Sequence, residues 1–300
     1  MKNLRFTLLL CLITSFVFAS IPTKQKDALL SLYKSTDGEN WTNPWDLDAA
    51  VDTWNGVTIE NGNVTAIDLS FNNLTGELPA SIGNLTTLKI LNLYRNRISG
   101  RLPNSIGNLK DIESINISFN QLEGKIPTTI GQLRQLKSLH LFMNRLEGEL
   151  PESIGQLAEM ESIELFNNLF SGQIPVSWTK LENLKILSLS SNLLSGMIPS
   201  NIGGLVSLER LELFDNKLFG ALPSSLGKLT NLKELLLSDN AFFGHIPNEL
   251  LALEKLNVLM LNNNSLDGDF TIFYQEFDGI DQVEIENKSK TTTTAVANND

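Results

Sequence analysis

The fold is decided by residues 88–109, which read LKILNLYRNRISGRLPNSIGNL, because this line recurs with small changes every 24 residues. An asparagine stands at the same place in nine successive copies: Asn72, Asn96, Asn120, Asn144, Asn168, Asn192, Asn216, Asn240 and Asn264. A glycine follows each asparagine by four residues, and a proline follows eight of them by seven. A fixed period of this length is typical of a solenoid, in which each coil packs only against its neighbours.

The apolar alternation in this line predicts a short β-strand in every coil. Leu91 and Leu93 are expected to face the core, while Ile90, Asn92 and Tyr94 face outward. Because each coil adds one strand beside the last, we expect about ten parallel strands on one side of a right-handed α/β solenoid. Bulkier turns on the other side would bend it into a horseshoe or superhelix with a concave strand face.

The rest of the line predicts the corners of each coil. Asn96 is expected to turn inward, where its amide satisfies backbone groups of its own and neighbouring coils. Gly100 permits a positive φ at the next turn, and Pro103 keeps the residue before it extended. The segment from Ile106 to Ile112 is predicted to close the coil as a short helical or 3₁₀ segment.

The repeated line resembles LxxLxLxxNxLxGxIPxxIGxL, the plant-specific type of leucine-rich repeat, over residues 64–270. This type occurs in plant receptor-kinase ectodomains, polygalacturonase-inhibiting proteins and secreted bacterial proteins, and the resemblance implies a leucine-rich-repeat horseshoe. Residues 54–57, Trp-Asn-Gly-Val, are similar to the family's N-terminal cap. Plant members usually brace that cap with cysteine pairs, which this sequence lacks, and the departure favours a bacterial exported protein.

The first 19 residues are predicted to be a secretory signal peptide. Lys2 and Arg5 precede an apolar run over residues 6–18, and cleavage is expected after Ala19. The single cysteine, Cys11, lies inside this segment, so the mature chain is expected to contain neither a disulfide nor a cysteine metal site. These features predict a secreted, cell-surface or periplasmic protein.

The charge of the mature chain excludes one class of partner. Two of the 23 basic residues fall in the signal, which leaves 21 against 34 acidic residues and a formal net charge of −13. A chain this acidic is repelled by phosphate backbones, so no nucleic acid partner is expected. No second apolar run is long enough to span a membrane, so no membrane span is expected in the mature chain.

The ends of the array are expected to be capped. Residues 20–63 are predicted to form an N-terminal cap, with a helix over residues 25–34 and a hairpin whose first strand is 57–59. Trp41, Trp45 and Trp54 are expected to cover the end of the core; carbohydrate stacking on them is the alternative. Residues 271–289 are predicted to be a degenerate terminal coil, with Phe270, Tyr274 and Phe277 at apolar positions, and 290–300 a disordered tail.

Outward strand positions on the concave side supply the candidate site, because the inward leucines cannot reach a partner. Four aromatic side chains are expected there as one stripe, which indicates either an interface or packing of rings on one another. The candidate partner-binding residues are Asn92, Tyr94, Arg95, Asn116, His140, Phe142, Glu164, Phe166, Glu212 and Phe214.

Three other patterns admit two interpretations each. His140 beside Glu164 is either a general-base pair or an ordinary ion pair, and the latter is preferred because no nucleophile is placed with them. Asp215 and Asp239 suggest either calcium or a solvated acidic face, again with the latter preferred. Trp178 and Thr179 stand where other coils have isoleucine and glycine. Apolar side chains also occupy outer positions that are usually polar, at Leu169, Leu193, Phe219 and Phe243. These departures indicate either a lateral contact patch or local repacking of the core.

These observations predict an exported, non-enzymatic module that recognises a protein or peptide on its concave face. Binding of a cell-wall polysaccharide and inhibition of a secreted carbohydrate-active enzyme are the alternatives. No cofactor, catalytic residue or metal site is predicted.

Overall fold

The computed structural model describes residues 21–277 and 280–286, so the predicted signal (1–19) and tail (290–300) lie outside the described residues. An α-helix, α1, spans Thr23–Ser35, close to the predicted one, and a second, α2, spans Thr271–Glu276. Within the described part, 3₁₀ helices span Gly38–Asn40, Val51–Thr53, Ala80–Asn84, Asn104–Asn108, Thr128–Gln132, Glu152–Gln156, Val176–Lys180, Ile202–Gly204, Ser224–Lys228 and Asn248–Ala252. None of the described helices is long and apolar enough to cross a membrane.

The strands are short and recur twice per coil. In chain order they are β1 (Val57–Glu60), β2 (Asn63–Asp68), β3 (Thr75–Glu77), β4 (Ile90–Asn92), β5 (Arg97–Arg101), β6 (Ser114–Asn116), β7 (Gln121–Gly124), β8 (Ser138–His140), β9 (Arg145–Glu149), β10 (Ser162–Glu164), β11 (Leu169–Gly172), β12 (Ile186–Ser188), β13 (Leu193–Gly196), β14 (Arg210–Glu212), β15 (Lys217–Gly220), β16 (Glu234–Leu236), β17 (Ala241–His245), β18 (Val258–Met260), β19 (Ser265–Asp267) and β20 (Gln282–Glu284).

The strands form two sheets. Strand β1 and the even-numbered strands form an eleven-stranded sheet over the described residues, in the order of the chain, and the odd-numbered strands from β3 form a nine-stranded flanking sheet. Only β1 is antiparallel in the first sheet, with Val57 opposite Ile67. The ten parallel strands and the α/β solenoid are as predicted. We call the outward side of the eleven-stranded sheet the concave face.

The core runs through the whole array as one continuous stack of apolar side chains. Leu91 and Leu93 are fully buried, as the alternation predicts, and their equivalents in later coils are buried with them. The coil-closing segments are 3₁₀ helices, such as Asn104–Asn108, and Gly100 has a φ of 70°. Burial of these leucine columns supplies the main driving force for stacking the coils.

The asparagines form the predicted hydrogen-bonded ladder, but in one direction only. Asn168 donates to its own coil at Leu165 O (3.0 Å) and to the preceding coil at Leu141 O (3.0 Å), and its Oδ1 accepts the Leu146 N–H at 3.0 Å. The bonds therefore reach backward along the chain. Of the two neighbouring coils that the amide was expected to reach, it bonds the preceding one.

The N-terminal cap covers the first coil with buried tryptophans. Trp41, Trp45 and Trp54 are each 4% exposed or less, and each indole N–H donates to a backbone carbonyl at 2.8 Å. Trp45 stacks on Trp54 with ring centroids 4.7 Å apart. These rings therefore have almost no accessible face, which favours the capping interpretation over carbohydrate stacking on them.

The terminal coil differs from the prediction at one aromatic position. Phe273 and Phe277 are buried, whereas Tyr274 is 39% exposed. The cause is local structure, since helix α2 here replaces the usual 3₁₀ geometry and turns Phe273 inward. Strand β20 then pairs in parallel with β18 and extends the concave sheet.

Candidate functional site

Five candidate residues share one column of the concave face, because each is the last residue of its strand. Backbone pairing sets Asn92 beside Asn116, and Asn116 beside His140. His140 pairs in turn with Glu164, and Glu212 follows two strands further on. Since parallel strands lie about 4.8 Å apart, these side chains form one continuous row.

His140 is a half-buried hydrogen-bonding group. Its Nε2 lies 3.3 Å from Glu164 Oε1 and 3.2 Å from Ser162 Oγ. Burial lowers the pKa of His140, and this effect outweighs the opposing attraction of Glu164. A Ser-His-acid triad needs one ring nitrogen for the serine and the other for the acid. Here both partners approach the same nitrogen, so the arrangement is not that of a triad.

Glu212 lies in a more enclosed part of the same column. Burial raises the pKa of its carboxyl group, although Ser188 Oγ donates a hydrogen bond to it and Arg210 is close by. The Arg210 Nε is 3.5 Å from Glu212 Oε1 and 3.1 Å from Glu234 Oε2. One guanidinium is therefore shared between two carboxylates.

Five aromatic rings run in contact along the first half of the concave face, and we call them the ring ladder. Ring centroids are 5.2 Å apart from Phe71 to Tyr94, 5.5 Å from Tyr94 to Phe119 and 5.6 Å from Phe119 to Phe142, all edge to face. Phe142 and Phe166 are stacked in parallel at 4.4 Å. The contacts stabilise the rings against one another and hold their outer edges in fixed positions.

Phe71 and Phe119 were not predicted as site residues. Both stand immediately before a ladder asparagine, and so does Arg95, whose guanidinium carbon lies 5.5 Å and 5.9 Å from their ring centroids. All three have a left-handed backbone, with φ between 52° and 55°. The left-handed turn brings the next asparagine inward and leaves these side chains at the rim of the concave face. The available signal was the fixed spacing from the asparagine.

The predicted stripe is interrupted before Phe214. The intervening coil contributes Ser190 at the same position, and Phe214 contacts no other ring in the described part of the chain. Beyond it the rim becomes acidic, at Asp215 and Asp239. Asp239 accepts a hydrogen bond from Asn263 at 2.9 Å. Within residues 21–277 and 280–286, no cluster of three or more His, Cys, Asp or Glu side chains is placed to hold a metal ion.

A row of ion pairs borders the concave sheet, and sequence reasoning missed it. The residue just before the strand alternates in sign through seven coils, from Lys89 to Lys233, and Glu60 at the end of β1 pairs with the first of them. Glu113 and Lys137 are 2.8 Å apart; their hydrogen bond lowers the pKa of the glutamate and raises that of the lysine. This ion-pair row consists of Glu60–Lys89, Glu113–Lys137, Glu161–Lys185 and Glu209–Lys233.

The two irregular features of the outer surface have different causes. Trp178 is 1% exposed and donates to Pro151 O at 3.1 Å, while Thr179 donates to Val176 O at 2.8 Å, so these residues repack the core locally. Phe219 and Phe243, by contrast, are exposed on the flanking sheet, and Leu169 and Leu193 are exposed there as well.

Family models for leucine-rich repeats match much of the chain. A leucine-rich repeat region model matches residues 67–192, and two leucine-rich repeat models match residues 172–218 and 231–253. Together they cover most of the array whose geometry is described above.

Solved structures of leucine-rich repeat proteins are similar. The ectodomain of the Arabidopsis receptor kinase HAESA, in complex with an extended IDA peptide hormone, is 31% identical, with a TM-score of 0.74 over 86% of this chain and 44% of that one. The plant peptide hormone receptor RGFR1, in complex with RGF2, is 40% identical, with a TM-score of 0.66 over 67% of this chain and 32% of the receptor chain. A plant ice-binding protein is 26% identical, with a TM-score of 0.63 over 83% of this chain and 88% of the ice-binding protein.

The chain spans less than half the length of the two receptor chains that it matches. The repeat pattern, the family models and the solved structures agree: the chain belongs to the leucine-rich repeat family.

Proposed function

We propose that this chain is an exported, non-enzymatic binding module that recognises a protein or peptide along its concave face. The observation that carries the proposal is the ring ladder with Arg95 between two of its rings. Phe71 and Phe119 are 57% and 37% exposed and the other three rings are half-buried, and partly exposed aromatic side chains beside an arginine have the composition of a protein interface. One similar structure is a plant peptide hormone receptor in complex with RGF2 and another is a receptor ectodomain in complex with a peptide hormone, which supports a ligand of this class.

The rigid backbone adds to this proposal. The rings stand on strands or corners that are hydrogen-bonded to both neighbouring coils, so few side chains have to be ordered when a partner binds. Preorganisation of this kind lowers the entropic cost of association. The proposed partner-binding residues remain the ten predicted from the sequence, to which Phe71 and Phe119 are now added.

A polysaccharide ligand is the alternative, but the ring geometry favours a protein. Sugars stack on open ring faces, whereas the Tyr94, Phe119 and Phe142 rings meet at interplanar angles of 82° to 85° and cover one another's faces. Inhibition of a secreted carbohydrate-active enzyme is a special case of protein binding, and an enzyme assay would test it. Ice binding is not proposed, because the outward columns of the described strands carry no regular ranks of threonine.

The test is a crosslinking pull-down from the surroundings of the secreting organism. Replacing Tyr94, Phe142 and Phe166 together by serine is expected to abolish capture of the specific partner, because the ring ladder loses its central members. The control replaces Phe219 and Phe243 by serine on the flanking sheet, where the rings are more exposed than those of the triple variant. Capture of the same partners by the triple variant and by the wild type would contradict the proposal, and a glycan array tests the alternative.

A further inference from the structure

The outward face of the flanking sheet changes character halfway along the array. Its side chains stand one, three and five residues after each ladder asparagine. In the first four coils, from Asn72 to Asn144, none of these twelve residues is apolar and eight are charged. In the next four, from Asn168 to Asn240, seven of the twelve are apolar and one, Lys217, is a Lys, Arg, Asp or Glu. Both halves form the same paired strands, so the sheet does not need the apolar residues in order to form.

Five large apolar side chains of the second half stand exposed on this face. Their exposed fractions run from 41% to 61%, at Leu169, Leu193, Met197, Phe219 and Phe243. Because a large side chain has roughly 200 Å² in all, the five leave about 500 Å² of apolar surface open. This area is comparable to the largest patch on a typical monomer, about 300–600 Å², and such patches are often functional. We call these five residues, together with Ala221, the flanking patch.

The flanking patch contains an open hollow at Gly244. At seven of the eight turns, the side chain five residues after an asparagine lies across the turn glycine of the next coil, as Gln173 lies across Gly196. The exception is Ala221, whose methyl group is too short to reach across. A Cβ at Gly244 would therefore meet no atom of the described residues within 4 Å. The space that a longer side chain fills in the other coils is open here, next to Phe243.

The composition of the flanking patch favours a second copy of this chain as its occupant. Interfaces between different proteins are about as polar as the rest of the surface, whereas homodimer interfaces are more apolar and are depleted of charge at their centre. The one charged side chain here is Lys217, and its long stem allows the ammonium group to reach water past the edge of the patch. A twofold dimer sets the same patch against itself, so apolar groups meet apolar groups without any complementary charge.

The area of the flanking patch is also sufficient for a dimer. Two copies face to face bury about 1,000 Å² from the five large side chains of each, taking about 100 Å² for every one. The alanines, the serines and the lysine stem between them add to this area. The total therefore reaches the lower part of the range of about 1,200–2,000 Å² that stable interfaces bury.

We propose that two copies of this chain associate through their flanking patches, with a large apolar side chain of each copy inserted into the hollow at Gly244 of the other. The patch lies on the flanking sheet and the ring ladder lies on the concave face, so each copy keeps its own binding face. The inference is therefore independent of the proposed function. It adds that the protein offers two concave faces at once, which strengthens binding to any partner that carries two copies of the recognised segment.

Sedimentation velocity of the mature protein, over a range of concentrations, tests the association. We expect a reversible dimer in the wild type. Leu193→Arg is expected to weaken it at least tenfold, because the interface would bury an unpaired charge. This variant should keep the fold, since Arg97 and Arg145 occupy the equivalent position in earlier coils. A wild type that stays monomeric at every concentration, or a Leu193→Arg variant that dimerises as tightly, would overturn the inference.

Ala221→Gln tests the hollow separately. A glutamine at this position is expected to lie across Gly244 as Gln173 lies across Gly196, and so to close the hollow without disturbing the sheet. We expect the dissociation constant of the dimer to rise about tenfold, because the inserted side chain loses its pocket. An unchanged dissociation constant would refute the insertion.

A matched pair of double variants locates the interface. Phe219→Ser with Phe243→Ser is expected to be monomeric, whereas Phe71→Ser with Phe119→Ser, which removes two exposed rings from the concave face, is expected to dimerise like the wild type. The reverse result would place the association on the concave face and overturn the inference. Partner capture that persists in the flanking variant and is lost in the triple ring-ladder variant bears only on the proposed function.

Discussion

Each ladder asparagine joins two coils through one amide group. Asn168 is 6% exposed, and its amide satisfies two carbonyl groups and one N–H group that no water can reach. A leucine of similar size would fill the same space, but it would leave the Leu146 N–H unpaired, whereas Leu141 O and Leu165 O would each keep one bond, from Asn144 and Asn192. Size alone therefore does not decide the residue at this corner.

We expect Asn168→Leu to lower the free energy of unfolding by about 1–3 kcal/mol, since the buried Leu146 N–H is left unpaired and two carbonyl groups lose one of their two bonds. Urea unfolding followed by circular dichroism measures the difference. The control is Asn183→Ala, which removes one exposed hydrogen bond, to Ala158 O. A loss in Asn168→Leu no larger than in the control would show that the amide contributes little.

His140 makes the stability of the fold depend on pH. Its pKa is lower in the folded than in the unfolded chain, so the unfolded chain binds a proton more readily. The stability that the neutral His140 imidazole contributes to the fold is therefore fully present above the pKa of histidine in the unfolded chain, about 6.5. It is lost as the pH falls toward the pKa of His140 in the folded chain. Stability should consequently fall more steeply between pH 7 and pH 5 in the wild type than in His140→Gln. Parallel pH profiles of the two proteins would refute this.

The sequence predicted the site residues whose direction is set by alternation along a strand, but of the three at the corner it predicted only Arg95. Tyr94, Phe142 and Phe166 were found because side chains alternate along a strand. Phe71 and Phe119 follow the end of that alternation, where a left-handed residue reverses the pattern. Side chains of very different kinds occupy this position, so residue type carries no signal for it.

At the scale of elements, the ion-pair row links neighbouring strands at their exposed edge. Lys137 stands between Glu113 and Glu161, so Lys137→Glu would place three negative charges in succession. We expect a lower thermal midpoint at low ionic strength, with a difference that shrinks as salt screens the repulsion. The control is Lys217→Glu, at an exposed position outside the row on strand β15. A deficit that is independent of salt, or equal in the control, would speak against electrostatic repulsion.

The sequence contained this row, although it was not predicted. Lys89, Glu113, Lys137, Glu161 and Lys185 recur at the spacing of 24 residues and alternate in sign. These residues precede the strands, and the alternation of side chains within a strand does not predict the direction of residues outside it. The strands themselves were predictable, because every coil repeats the same apolar alternation.

At the scale of the molecule, one buried glutamine joins the N-terminal cap to the repeats. Gln25 on α1 accepts the Val64 N–H at 2.8 Å, and its Nε2 donates to Asn63 and Thr87, each at 3.1 Å. The fold of the array followed from its period. The hydrogen bonds of Gln25 could not be predicted from that period, because they join residues 38 to 62 positions apart that the 24-residue repeat does not relate.

Gln25→Ala should loosen the first coil and leave the centre of the array unchanged, because each coil contacts only its neighbours. We expect amide exchange at residues 63–68 to become roughly tenfold faster, which corresponds to the loss of about 1.4 kcal/mol for the unpaired Val64 amide. Hydrogen–deuterium exchange with mass spectrometry measures this, with β10 as the internal reference. Equal acceleration in both regions would indicate global destabilisation instead.

The backward direction of the asparagine bonds gives the solenoid a polarity along its axis. A polypeptide is synthesised from its N-terminus, so the amide that completes the corner of one coil arrives only with the next coil. The growing end always presents one unfinished corner to the segment that follows. The cap supplies the template for the first coil, where the Asn43 N–H donates to Asn72 Oδ1 at 2.7 Å. The two ends of the solenoid are therefore not equivalent, because the cap completes the first one and each later corner is completed by the coil that follows it.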